Sequence, residues 1–88
     1  MNIQDQIIKL VSRLADMPAS KIYAHSYFRD DLHLDSIDQM LIIVKLEKLF
    51  NVILPNEDVD RIETVKDVSE SIMRRLQRDG ITPQVVIA

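Results

Sequence analysis

The sequence has no cysteine, no tryptophan and a single glycine among 88 residues. Without cysteine the chain forms neither a disulfide framework nor a thiolate metal site. Scarce glycine, with only two tyrosines and two phenylalanines, disfavours a β-rich fold with many tight turns. The longest apolar run, residues 40–44, is far shorter than the roughly 20 residues that span a membrane. No signal-peptide pattern opens the chain, so we expect a cytoplasmic protein with no membrane span.

Charge and length exclude further classes of protein. The net charge of −3 gives no electrostatic case for binding nucleic acid. A chain of 88 residues forms one domain with one modest hydrophobic core. No metal-ligand spacing is visible, and the acidic residues 30–38 lack the central glycine and final glutamate of a calcium loop. An enzyme is therefore disfavoured, and we expect no metal.

Helical periodicity predicts an all-α fold, a small four-helix bundle of three longer helices and one short helix. Their apolar residues recur at steps of three and four, as in amphipathic helices. A long loop, 17–35, separates helices 1 and 2, and loops of this length in small domains are often functional. We expect a domain over 1–80 and a mobile tail over 81–88. The predicted helices cover 2–15, 36–50, 57–61 and the segment that follows Thr64 and stops at Gly80.

Local signals define the ends of these elements. Pro18 should stop helix 1. Asp35 is a candidate N-cap for helix 2, with Asp38 in its first turn. Thr64 and Asp67 have the spacing of a capping box for helix 4. Within the loop we expect three side chains to anchor in the core: Tyr23, Phe28 and Leu32.

Helix 2 is apolar on two sides. At 100° per residue, one arc is predicted to pack in the bundle: Ile42, Ile43, Leu46, Leu49 and Phe50. A nearly opposite arc, interrupted only by Lys48, is also apolar: Ile37, Met40, Leu41 and Val44. An exposed apolar stripe on a monomer usually marks a binding surface. The alternative is that the 17–35 loop or the C-terminal tail covers this arc.

Ser36 lies where helix 2 begins, between Asp35 and Asp38. No base is arranged to make it a nucleophile, and it lies in no Gly-x-Ser-x-Gly elbow. A helix N-terminus favours an attached phosphate, because its backbone N–H groups and dipole attract negative charge. The alternative is that Ser36 merely caps the helix.

Several segments resemble those of acyl carrier proteins. Residues 31–38, DLHLDSID, are similar to the family signature DLGxDSLD. The resemblance extends to LEKLF at 46–50, ILPNED at 53–58 and TVKDV at 64–68. It covers residues 2–78 overall, nearly the whole domain.

The resemblance implies a carrier that catalyses nothing itself. Ser36, flanked by the signature residue Asp35, would bear 4′-phosphopantetheine donated from coenzyme A by a phosphopantetheinyl transferase. Acyl groups would be held as thioesters for the acyl-loading and condensing enzymes of fatty acid, specialised lipid or polyketide biosynthesis. We expect a monomer whose partner-binding residues lie on helix 2: Ile37, Asp38, Met40, Leu41, Val44 and Glu47. The family's bundle also takes acyl chains into its core, which the resemblance would line with Ile42, Ile43, Leu46, Phe50, Val59, Ile62 and Val68.

The sequence departs from the family at three points, one of which is the tail beyond Gly80, whose apolar end has no clear counterpart in the family. His33 stands where the signature has glycine, although histidine tolerates left-handed backbone better than most residues. Helix 2 is usually acidic, whereas here Lys45 and Lys48 balance Asp38 and Glu47. We infer partners bound more by apolar contact than by charge, as in a specialised pathway. Two alternatives stay open: an unmodified helical adaptor that binds through the apolar stripe, and an aminoacyl carrier.

Overall fold

The structure of the protein is a computed structural model that describes residues 2–78. It is all-α, with three long helices and one short helix, as the periodicity predicts. The short helix begins one residue earlier than expected. The predicted stop at Gly80 and the tail at 81–88 lie outside the described residues. The helices are α1 (Ile3–Ala15), α2 (Ser36–Phe50), α3 (Asn56–Arg61) and α4 (Val65–Arg78).

Side-chain and left-handed caps set the ends of α1. Asn2 belongs to the cap and not to the helix, because its side chain accepts a 2.8 Å hydrogen bond from the Asp5 N–H. At the other end Asp16 adopts a left-handed conformation with φ 54° and donates its N–H to the Ser12 carbonyl. This conformation ends the helix before the predicted stop at Pro18 is reached. Pro18 therefore lies beyond the end of the helix and does not itself end it.

The core forms where the apolar stripes of the helices meet. α1 packs against both α2 and α4, and α3 packs against α4. The apolar stripes that helical periodicity predicts for α1 and α4 pack against the core, and Ile7, Val11 and Ile72 are completely buried. The predicted members are Ile3, Ile7, Leu10, Val11 and Leu14 in α1, and Val65, Val68, Ile72 and Leu76 in α4. In α2, Ile42, Ile43 and Leu46 are buried as predicted.

Leu49 was predicted to pack with these α2 residues, and that prediction is wrong. Its side chain is 54% exposed, whereas Phe50 is half-buried against the core. At 100° per residue Leu49 lies at the edge of the buried arc, on the side of Lys45. It lines an open groove between α1 and α2.

The long loop anchors through Phe28 and Leu32, which are buried as predicted. Tyr23 was the third predicted anchor, and that prediction is wrong. It is 53% exposed and stacks on the ring of His25, with ring centroids 5.3 Å apart. Its neighbour Ile22 is buried instead, in extended backbone that follows a short 3₁₀ helix, Ala19–Lys21. Successive side chains of an extended chain point to opposite sides, so only one of the two residues reaches the core.

Backbone hydrogen bonds attach this loop to the connection between α3 and α4. Phe28 donates its N–H to the Glu63 carbonyl at 2.9 Å, and Val65 donates to Ser26 at 3.2 Å. Tyr27 and Thr64 thereby form an isolated antiparallel bridge, and residues 2–78 contain no longer strand. The loop is thus fixed on the body of the bundle before the chain enters α2.

The predicted capping box stabilises the same connection from the α4 side. Thr64 Oγ1 accepts from the Asp67 N–H at 3.1 Å, and Asp67 Oδ2 accepts from the Thr64 N–H at 3.0 Å. Asp67 Oδ2 also accepts from the Glu63 N–H at 2.9 Å. One carboxylate therefore satisfies two N–H groups at the point where the loop docks.

Candidate functional site

The N-terminus of α2 is capped by Asp35, as predicted. Its Oδ1 accepts from the Asp38 N–H at 2.8 Å, and its carbonyl accepts from the Gln39 N–H at 2.9 Å. Asp35 itself has extended backbone with φ −85°. Ser36 is therefore the first residue of the helix and not its cap, so the alternative that Ser36 serves as a cap is wrong. Its hydroxyl is not needed to close the helix.

The start of α2 keeps donors available for an anion. Within residues 2–78, the backbone N–H groups of Ser36 and Ile37 donate no hydrogen bond, and the Ser36 hydroxyl makes none. Ser36 is also exposed. Unpaired N–H groups at the positive end of a 15-residue helix favour a phosphate attached at this position. The residues present therefore fit a phosphodiester on the Ser36 oxygen.

The other serines offer a comparison, since all six lie in the described part of the chain. Three are buried, and a fourth is half-buried and donates its hydroxyl to the Met17 carbonyl. The fifth is exposed but lies in a three-residue 3₁₀ helix. Only Ser36 is both exposed and at the start of a long helix. The five others, in the order just described, are Ser26, Ser69, Ser71, Ser12 and Ser20.

His33 adopts the left-handed conformation that its position demands. Its φ is 57°, and its N–H donates to the Arg29 carbonyl at 3.1 Å. The flanking residues Leu32 and Leu34 are buried, while His33 is exposed. In this turn Leu32 and Leu34 point into the core, and His33 between them points into solvent. A side chain that tolerates positive φ is sufficient here, even though glycine has the least steric cost.

An open groove of about 520 Å³ lies beside Ser36, between the loop, α2 and α3. Gln39 lines this groove and donates from Nε2 to the Ile62 carbonyl at 2.7 Å, which links α2 to the end of α3. Of the residues predicted to surround an acyl chain, Val59 and Ile62 line this groove. Ile42, Leu46 and Val68 lie instead in the core, fully buried. Most of the predicted acyl-lining set is therefore buried in the core, and of its members only Val59 and the buried Ile62 border the groove.

The second apolar arc of α2 is solvent-exposed. Ile37 is 77% exposed, and the three other members are exposed by 41–50%. The 17–35 loop does not cover the arc, and the tail that was the other candidate cover lies outside the described residues. We call this surface the α2 stripe, and its residues are Ile37, Met40, Leu41 and Val44.

Asp38 and Glu47, the two acidic residues predicted to bind partners, also form hydrogen bonds that stabilise the fold. Asp38 donates its N–H to the cap, as described above. Glu47 is half-buried, and its Oε2 accepts from the Leu54 N–H at 2.8 Å. That bond fixes the connection between α2 and α3. Sequence reasoning missed it because Leu54 lies seven residues away, beyond the left-handed turn at Asn51.

No group of three or more His, Asp or Glu side chains that could hold a metal ion occurs in the described part of the chain. No helix there is both long and apolar enough to cross a membrane.

Comparison with known families gives a match over most of the chain. Residues 5–72 match the model of the family described as "Phosphopantetheine attachment site". An acyl carrier protein of Kineococcus radiotolerans is 36% identical over 61 residues, 69% of this chain and 75% of that protein. An acyl carrier protein of Buchnera aphidicola is 31% identical over 74 residues, 84% of this chain and 92% of its own length.

The fold is also similar to that of a solved carrier. The acyl carrier protein from Enterococcus faecalis superposes with a TM-score of 0.72 at 29% sequence identity. The match covers 83% of this chain and 92% of that chain. The likeness therefore extends over nearly all of the described helices.

The left-handed turn at His33 predicts a residue-specific effect on stability. His33→Val should lower the free energy of unfolding by about 1–2 kcal/mol, because a β-branched side chain clashes at positive φ. His33→Asn should stay within about 0.5 kcal/mol of the parent, because asparagine tolerates this conformation. Urea unfolding followed by circular dichroism measures both. Equal stability of the two variants would contradict this account of the turn.

Proposed function

Since this chain belongs to the acyl carrier protein family and carries a covalent 4′-phosphopantetheine group, we propose that Ser36 is the attachment residue and that the chain tethers acyl intermediates for separate enzymes. The observation that carries the proposal is the state of Ser36 itself. It is exposed at the first position of α2, with its hydroxyl unbonded and the helix cap supplied by Asp35. A transferase can reach this oxygen without unwinding the helix.

The chain's own residues contribute position and charge, not reactivity. The N–H groups of Ser36 and Ile37 would face the phosphate, and Asp35 would hold the first turn in place. When attached, the group supplies a thiol on a flexible arm, which holds acyl chains as thioesters. The sequence contains no cysteine, so no side-chain thiol competes with it. A tether of this kind raises the effective concentration of substrate at a docked enzyme.

The proposed surface for partner enzymes is the α2 stripe with Asp38 and Glu47 at its margin. It begins one residue after Ser36, so an enzyme bound there lies next to the arm. Its exposed apolar area is of the kind that partners bury. Partners of this class are the phosphopantetheinyl transferase and the acyl-loading and condensing enzymes. The monomeric state and the cytoplasmic location expected from the sequence are part of the same proposal.

The charge of α2 favours a specialised lipid or polyketide pathway over primary fatty acid synthesis. Lys45 and Lys48 are exposed and offset the two acids of the helix. Long-range steering toward a basic enzyme patch is therefore weak, and apolar contact has to supply more of the affinity.

Modification at Ser36 has a direct test by intact mass. Incubation with coenzyme A and a broad-specificity phosphopantetheinyl transferase should add one phosphopantetheine to the chain. Ser36→Ala should add none, because the accepting oxygen is gone. Ser20→Ala is the matched control, since Ser20 is the other exposed serine, and it should still gain one arm. No mass gain in the parent chain would favour the unmodified adaptor and defeat the proposal. In a loaded chain, cleavage of the thioester releases the bound acid. Its identity as a fatty acid or an amino acid distinguishes an acyl carrier from an aminoacyl carrier.

The apolar character of docking is tested by salt. Binding to a ketosynthase encoded beside this chain's gene should weaken less than about threefold between roughly 50 and 500 mM NaCl, since screening acts on charges alone. Leu41→Asp should weaken the same binding about tenfold or more, because it places a charge in the apolar contact. Met73→Asp, an exposed position on α4, is the control and should change it little. Strong, salt-sensitive binding only to a ketosynthase of primary fatty acid synthesis would refute the pathway proposal.

A further inference from the structure

A second groove lies between α1 and α2, with a volume of about 580 Å³, and it shares no lining residue with the groove beside Ser36. On α1 the lining positions recur at three- and four-residue steps, which places them on one face of the helix. On α2 they occupy its last two turns. The lining residues are Gln6, Lys9, Leu10, Arg13, Lys45, Lys48 and Leu49.

Four basic side chains line the groove. Lys9 and Arg13 stand on the α1 side, Lys45 and Lys48 stand on the α2 side, and no acidic residue lines the space. None of these four side chains forms an ion pair within residues 2–78. The chain as a whole carries a net charge of −3, so this concentration of positive charge is local. Like charges held close together favour an anionic ligand between them.

Two leucines also line the groove. Leu49 is 54% exposed, and Leu10 is half-buried. A ligand with charge alone would leave these leucines in water, so the complementary ligand carries an apolar side chain as well as acids. From Gln6 to Arg13 the α1 wall extends about 10 Å, or two helical turns, at 1.5 Å per residue.

We propose that this groove docks a short acidic amphipathic helix of a partner protein. Apolar side chains of that helix would cover Leu10 and Leu49, and carboxylates on its two flanks would meet the cations of α1 and α2. The cations stand on two helices that border one elongated groove, which suits a segment lying along it better than a flat anionic membrane. The chain's overall negative charge also opposes attraction to such a membrane. The interaction needs no arm on Ser36.

The test uses a defined probe and the full chain with Ser36→Ala, so that failure of the carrier proposal cannot affect it. The probe is a fluorescein-labelled 14-residue helical peptide with leucines on one face and glutamates flanking them. Fluorescence anisotropy should show saturable binding that weakens as salt rises. Lys9→Glu with Lys48→Glu should weaken binding by on the order of tenfold or more, by reversing one charge on each wall.

The matched control is Lys21→Glu with Lys66→Glu, which makes the same change in net charge at two exposed lysines outside the groove. It should leave binding within about twofold, and circular dichroism should show both double variants folded. Amide shifts in the parent should locate the peptide at Lys9, Leu10 and Lys48. Equal weakening in the two double variants, or no binding at millimolar peptide, would overturn the proposal. So would groove-dependent binding of phosphatidylglycerol vesicles or groove-dependent dimerisation in place of peptide binding.

Discussion

The pairing of the long loop with the α3–α4 connection is the constraint on which the site depends. Hydrogen bonds from Phe28 to Glu63 and from Val65 to Ser26 fix the loop, and the buried ring of Phe28 seals the contact. The Leu34 N–H then donates to the Phe28 carbonyl at 2.9 Å, which returns the chain to a set position just before α2. A 15-residue helix therefore starts at a fixed place with its N-terminus in solvent. Loosening the loop would move that start.

α2 serves three different surroundings, and this explains its unusual composition. One face completes the core through Ile42 and Leu46, the α2 stripe stays in solvent, and its last turns border the basic groove. Burial in the core stabilises any apolar side chain that fits there, whereas a contiguous exposed apolar patch indicates a binding surface. At the N-terminus of α2, Asp35 caps the helix, so the Ser36 hydroxyl is left free of that role. Capping by a neighbour contributes about 1 kcal/mol and frees the serine for chemistry.

Much of this arrangement is readable from the sequence. Periodicity predicts the four helices, and the Asp35 and Thr64 caps follow from residue type and spacing. What the sequence cannot resolve depends on contacts between distant segments. Tyr23 and Ile22 are equally plausible anchors until the extended backbone decides which one faces inward. The exposure of Leu49 and the basic groove depend on how α1 and α2 pack against each other, which the helical rotation of α2 alone does not determine.

Amide hydrogen exchange on the unmodified chain tests most directly whether Ser36 is presented as described. The amides of Ser36 and Ile37 should exchange at nearly the rates of an unstructured peptide, because neither donates a hydrogen bond. Those of Phe28, Leu34 and Val65 should exchange only when the bundle opens. Slow exchange at Ser36 and Ile37, or fast exchange at Phe28 and Val65, would show that the serine is held in some other way and would contradict the account.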